Sequence, residues 1–442
     1  MSASAANLTY KRINSDLLAT LKAPGASWYG LLALAFSVLL LGAYTWGSML
    51  IEGLGVSGIS HPIMWGVFIT DFVFWVGIAH SGTLISAVLF LFRAKWRMPI
   101  YRIAEAMTVF AVFTAGLFPI IHLGRPWNFY WLFPYPNQRY LWVNFRSPLL
   151  WDVFAVSTYL TVSFLFFCIG LIPDIAAARD KAKGFSKFAY TVLALGWKGS
   201  DRQWRHYTAA YGFFAALATP LVLSVHSVVS WDFAVGNVPG WHTTIFPPYF
   251  VSGAIFSGLA MVMTITIPLR KAFNLEAYLT TWHYEKMAQL IMFTSGIVGY
   301  AYATEFFIAW YSNNIFERYQ FWFRAFGDYN FVFWGMVFCN CIAPLSLWVK
   351  RLRTNLKWLF CISIVINIGM WLERFNIVFM SLAREFLPAA WGDYNFSWYD
   401  VGITLGSFGW FFTWILLFIK TLPCMALTEI KEIAEAPMRA HH

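Results

Sequence analysis

The chain has 442 residues, 59% of them apolar and only 12% charged, with a formal charge of +10 and a mean hydropathy of +0.59. Those proportions exclude a soluble domain. The long apolar runs do not alternate, which excludes membrane strands in favour of helices crossing a roughly 30 Å hydrocarbon core. In chain order the runs predict ten helices, near 28–51, 62–92, 100–122, 148–172, 205–230, 248–269, 286–311, 327–348, 356–381 and 400–424. The mostly polar residues 1–27 are read as a tail. The first span is too long for the core of a cleaved signal peptide and is expected to remain.

The basic residues fall on alternate connections. One face takes Lys11, Arg12, Lys22, Arg93, Lys95, Arg97 and Arg102, then Arg179, Lys181, Lys183, Lys187, Lys198, Arg202 and Arg205. It also takes Arg270, Lys271, Lys286, Lys350, Arg351, Arg353, Lys357, Lys420, Lys431 and Arg439. The other face holds Arg125, Arg139, Arg146, Arg318, Arg324 and Arg384, and Arg374 lies inside a helix. This positive-inside bias predicts both termini in the cytoplasm of a bacterial inner membrane, and it makes the excess charge a topology signal rather than a nucleic-acid footprint. The 24 Trp suit an interfacial belt, as in the run Trp127, Tyr130, Trp131, Tyr135, Tyr140 and Trp142. The connection 123–147, with Pro126, Pro134, Pro136 and Pro148 in or beside it, is expected to pack, capping a site or receiving a partner, or to anchor at the interface.

Helices two to five and six to nine enter from the same side, which suggests a duplicated bundle about an axis along the membrane normal. The expected organisation is an all-α membrane protein with a tail at 1–27, a first helix and outer loop at 28–61 and a four-helix bundle at 62–230. A second bundle follows at 231–381, and a last helix and tail at 382–442. Cys168, Cys339, Cys341, Cys361 and Cys424 form no C-x-x-C pair or iron–sulfur run and read as small packing residues. The chain is therefore expected to hold no cluster of its own.

Ionisable groups inside hydrocarbon mark proton, ion or ligand sites. His122 ends the third predicted helix and Asp152 opens the fourth, at similar depth near the outer face. An imidazole and a carboxylate placed together suit the two protons released when a quinol is oxidised; alternatively each complements the dipole of its own helix terminus. Asp71 is expected about 14 Å and His80 about 27 Å below the outer start of helix two, on opposite faces. Asp71 reads as a protonatable relay, and His80 as a relay or a packed side chain. Glu105, Glu305, Glu373, Arg374 and Asp232 complete the candidate proton path, and a route combining Glu105, His80 and Asp71 is expected. His226, read as closing helix five, lies at the predicted depth of His122. Together they give the geometry for one haem near the outer face. No second pair exists, and the chain is read as binding no haem.

The segments H-P-I-M-W-G-V-F-I-T-D-F-V-F-W-V-G-I-A-H-S-G (61–82), G-L-F-P-I-I-H-L-G-R-P-W (116–127) and S-P-L-L-W-D-V-F (147–154) resemble the NrfD-like family of membrane subunits. Within it, the chain is most similar to the ten-helix C subunit of alternative complex III. The resemblance implies a menaquinol or ubiquinol site at His122 and Asp152, deeper acidic groups such as Asp71 in proton transfer, and roles for Asp232 and Arg374. It also implies a periplasmic iron–sulfur partner subunit, a multihaem cytochrome c and a paralogous membrane subunit. The expected function is quinol oxidation within a quinol oxidoreductase complex, with electrons passed to the iron–sulfur subunit and with or without proton translocation. The alternatives are a proton-coupled transporter, disfavoured by the lack of paired mid-helix Gly/Pro breaks, and a structural anchor, disfavoured by Asp71.

Overall fold

The computed structural model describes residues 9–134 and 145–433. Tyr135, Pro136, Arg139, Tyr140, Trp142 and Arg439 lie outside the described residues. Among the described residues ten helices are long and apolar enough to cross a membrane: α1 (Ala26–Glu52), α2 (Gly66–Leu91), α3 (Tyr101–His122), α4 (Pro148–Arg179), α5 (Asp201–Ala234), α6 (Phe246–Ala272), α7 (Thr281–Tyr311), α8 (Asn330–Trp348), α9 (Leu356–Ala383) and α10 (Trp398–Thr421). Among the described residues no strand forms. The chain is a multi-pass membrane protein.

Several helices outrun their apolar segments because polar residues cap them. Ser200 and Gln203, Thr280 and His283, and Ser397 and Asp400 form capping boxes that start α5, α7 and α10 before the hydrocarbon-like stretch begins. α4 runs through Pro173 to Arg179, seven residues past the predicted end. α5 runs to Ala234, so His226 does not close it but sits two turns inside. Shorter helices flank the spans. Tyr10–Ala19 lies in the polar tail with Ile13 and Leu17 buried, and Gly184–Leu193 lies in the charged loop after α4.

α2 to α5 pack in a ring, α6 to α9 pack in a second, and the rings meet where α2 and α5 lean on α6 and α9 leans on α2. α10 pairs along its length with α1 and rests on α3. Glycine makes that pairing close. A Cβ on Gly42 would stand 2.5 Å from the Gly406 Cα, and one on Gly409 would stand 2.4 Å from the Leu39 nitrogen. Small residues four apart let two backbones approach within hydrocarbon, where dispersion replaces the hydrophobic effect.

Three spans carry a π turn: Leu84–Val88 in α2, Phe338–Ile342 in α8 and Asn376–Met380 in α9. α8 finishes as a 3-10 helix, Ala343–Trp348. Apolar composition gives no sign of these irregularities. Three arginines assigned to loops are interior. Arg97, Arg102 and Arg324 are buried, and Arg102 belongs to α3 itself. In the aromatic tip after α3, the 3-10 helix Pro126–Leu132, Trp127 is 61% and Trp131 54% exposed.

Candidate functional site

α3 ends at His122 for local reasons. The Leu123 N–H turns back to the Pro119 carbonyl, Gly124 follows at φ +68°, and Pro126 cannot continue a helix. A Cβ on Gly124 would also press to 2.7 Å from a Leu54 methyl. α4 opens with Pro148 in its first turn, which fixes φ where no donor is needed. Asp152 follows one turn later. Because α4 and α5 are antiparallel, the start of one meets the end of the other, and the Asp152 carboxyl stands beside that of Asp232. Two adjacent carboxyl groups can share one proton. Trp151 and Trp231 close over this end of the bundle, ring centroids 5.8 Å apart.

The sequence places His122 beside Asp152. The structure gives both unmet hydrogen-bonding capacity and no direct bond: among the described residues, neither His122 Nδ1 nor either Asp152 oxygen meets a donor or acceptor in strict hydrogen-bond geometry. The His122 ring lies 6.2 Å from that of Phe68. Asp152 and Asp232 are buried, and among the described residues no cation pairs with either. Every other acid buried this deeply in the bundles carries a visible compensation or a nearby arginine. The acid pair and the unpaired His122 Nδ1 are therefore features that protein packing leaves unexplained.

Below it, the first ring has a polar interior. His226 meets His80, not His122, with ring centroids 4.6 Å apart. Both rings are buried, and none of their four nitrogens meets a strict hydrogen-bond criterion. Tyr159 lies 5.9 Å from His80, shares a 2.8 Å hydrogen bond with Thr83, and donates to the Ala79 carbonyl at 3.1 Å, a carbonyl that Thr108 also reaches at 2.7 Å. One turn along α3 from Thr108, Glu105 accepts from Tyr211 at 3.0 Å and from Arg102 at 2.8 Å. Arg102 also holds Asp174 at 3.0 Å and the Gly170 carbonyl at 2.6 Å. The other Asp174 oxygen accepts the Leu427 N–H, so the segment after α10 folds onto this end of the ring, where Glu429 pairs with Arg97 at 2.8 Å.

The second ring holds the remaining acids. Glu373 pairs with Arg374 at 2.6 Å and accepts from Tyr302, whose hydroxyl also accepts from Asn340 at 2.9 Å. Arg374 stands 4.4 Å over Phe250, which abuts His226 at 5.8 Å, so this cluster approaches the first ring. Glu305 is buried, with one oxygen lacking a partner and with Arg324, Glu373 and Glu317 as its charged neighbours. Outside the spans, burial pushes the Glu317 carboxyl up, while the Gly240 N–H at 2.8 Å and the nearby Arg324 and His242 oppose this. The π turns adjoin the network: one follows His80, one contains Asn340, and one follows Arg374.

Asp71 belongs to neither chain of groups. Its oxygens accept the Trp371 indole N–H and the Thr404 hydroxyl, each at 2.7 Å, linking α2 to α9 and α10. The structure thus brings His80 to His226 and separates it from Asp71. Sequence reasoning missed the roles of Arg102, Asp174, Tyr159 and Tyr211. A signal existed for part of this: Asp152, Tyr159, Ser163 and Asp174 recur at helical spacing on the buried face of α4.

Among the described residues no group of three or more His, Cys, Asp or Glu is placed to hold a metal ion. Two axial metal–nitrogen bonds of about 2 Å each would alone nearly fill the distance between the His80 and His226 ring centres, so the pair cannot sandwich a haem iron as it stands. Grooves of about 530 and 580 Å³ lie elsewhere, the first along α1, α6 and α10 and the second around Phe306 and Trp322.

Residues 55–384, from just before α2 to the end of α9, match the family described as Polysulphide reductase, NrfD. The putative C-type membrane subunit of a dimethyl sulfoxide reductase from Halobacterium salinarum is 27% identical over 244 residues, covering 55% of this chain and 51% of that protein, so the match spans about half of that relative. The C-type subunit of the selenate reductase from Mesobacillus selenatarsenatis is 25% identical over 329 residues, covering 72% and 74%. The Hdr-like menaquinol oxidoreductase integral membrane subunit of Archaeoglobus fulgidus is 21% identical over 387 residues, covering 86% and 84%.

Proposed function

The chain belongs to the polysulphide reductase NrfD family, and from that premise we propose that it is the quinol-oxidising membrane subunit of an electron-transfer complex. One observation carries the reading. A half-buried imidazole and a buried carboxyl pair, with no carboxylate or cation paired to them among the described residues, stand at the same end of one bundle with hydrogen-bonding capacity unfilled by protein. A quinol head offers two hydroxyl groups to such a site. Oxidation releases two protons and two electrons. His122 Nδ1 takes one proton, and the Asp152–Asp232 pair takes the other. The electrons leave to an iron–sulfur subunit at that face, and from there to a multihaem cytochrome c.

The same reading makes the basic face cytoplasmic, with both termini there, in a bacterial inner membrane. It places a paralogous membrane subunit beside the chain, in a complex of the alternative complex III type, with menaquinol or ubiquinol as reductant. The menaquinol oxidoreductase relative supports a quinol substrate. Proton transfer across the membrane would run from the Arg102–Asp174 cluster and Glu105 at the basic face through Tyr159, His80 and His226 to the acid pair, with water filling the gaps. Asp71 stands outside this route.

The test is to purify the chain with its neighbouring subunits. Co-isolated quinone, an iron–sulfur subunit and quinol-dependent reduction of that cluster are expected. A complex that retains no quinone and reduces no cluster with added quinol would overturn the reading.

A further inference from the structure

α10 packs on α1 and α3 but leaves a gap against α6, and that gap is the groove of about 530 Å³. Leu31, Leu34 and Val38 of α1, Pro268 of α6, and Phe412 and Ile415 of α10 form its apolar walls. It opens at the basic face beside Gly25, Phe273 and Lys420 and closes near Val38 and Phe408. At 1.5 Å per residue, Trp28 to Val38 and Phe408 to Lys420 rise about 15 and about 18 Å, half of a roughly 30 Å hydrocarbon core. The groove is therefore one leaflet deep.

Its mouth is cationic. The Lys420 ammonium donates to the Thr20 carbonyl at 3.0 Å and the Lys22 carbonyl at 3.5 Å and stands 4.6 Å over the Phe273 ring. Among the described residues no carboxylate pairs with it. Lys22 is exposed beside it, and exposed Lys271 adjoins Ala272 on the groove wall.

We propose that this groove binds one acyl chain of an anionic phospholipid from the leaflet at the basic face, with the phosphate held by Lys420 and Lys22. The depth matches an acyl chain, the walls supply mainly apolar contact, and the Lys420 ammonium sits at headgroup level. A quinone head has no charge for Lys420, and the walls offer it no row of hydrogen-bond partners.

Native mass spectrometry of the complex, delipidated and titrated with phosphatidylglycerol or phosphatidylcholine of identical chains, tests this. One phosphatidylglycerol is expected to be retained about fivefold more tightly, the factor that one lysine near an anionic headgroup provides. Lys420→Gln is expected to erase that preference, and Ala272→Phe to block both lipids, each with quinol oxidation unchanged. Equal retention of the two lipids by the unaltered chain, an undiminished preference in the variants, or a quinone or polypeptide occupying the groove would overturn the proposal. If one variant fails to assemble, the other variant and the two-lipid comparison still decide.

Discussion

Trp371 donates its indole N–H to Asp71 at 2.7 Å, and this bond ties a carboxylate of the first ring to a helix of the second. With Thr404 on its other oxygen, Asp71 joins three helices at a point where neither ring alone is closed. Asp71→Asn would set an amide N–H₂ against one of two fixed donors. The expected loss is about 1–3 kcal/mol of stability, read by denaturation in mixed micelles, with turnover per folded complex within about twofold. A turnover loss far exceeding the stability loss would instead make Asp71 a proton relay.

Asp232→Asn keeps the shape and polarity of the side chain beside Asp152 but removes one proton acceptor. Quinol oxidation is expected to fall by about 10²–10⁴, as for His122→Ala and Asp152→Asn. Steady-state assays with a soluble quinol check this. Full activity in Asp232→Asn would leave Asp152 to act alone.

Arg102 neutralises Glu105 and Asp174 together at 2.8 and 3.0 Å, all three being buried. Arg102→Met strands two acids, and a cost of about 3–5 kcal/mol is expected in a thermal melt. Adding Glu105→Gln and Asp174→Asn is expected to restore most of it. No recovery would show that the arginine acts by packing rather than by charge.

The 4.6 Å spacing of the His80 and His226 rings makes a spectroscopic prediction. The isolated chain is expected to give no b-type haem band in a reduced-minus-oxidised spectrum. In proteoliposomes, His226→Phe is expected to reduce proton uptake from the basic face while quinol oxidation by uncoupled complex persists. Unchanged uptake would remove this pair from the route.

Gly406 admits no side chain without moving α1, because its Cβ would stand 2.4 Å from the Gly42 Cα. Gly406→Leu is expected to cost about 1–3 kcal/mol through overpacking and to expose α1 to protease. An unaltered digestion pattern would mean that the two helices shift without cost.

The ten spans were legible because apolar length is a direct consequence of bilayer thickness. Their ends were not. Capping by Ser200, Thr280 and Ser397 lies outside any hydropathy signal, and Pro173 in α4 reads as a stop although the helix continues through it. The end of α5 was likewise misjudged: it continues to Ala234, which puts His226 inside the span beside His80. His122 and Asp152 stood out as ionisable groups at apolar boundaries, yet Asp232 as the neighbour of Asp152 depended on how α4 and α5 rotate about their axes. Hydropathy carries no information on that rotation. Arg102 was misplaced for a related reason: a basic residue near a predicted terminus looks like a loop charge until its acids, 3 and 72 positions away, are seen around it.

The Leu427 N–H that completes the Asp174 carboxylate belongs to a segment translated after all ten spans. During synthesis, Asp174 and Arg102 must enter the bilayer with that acceptor unfilled, and the cluster is finished only when the end of the chain swings back. Assembly of the first ring is thereby made to wait for the last helix, so a nascent polypeptide truncated before residue 427 would leave the ribosome with its earliest bundle still unsealed.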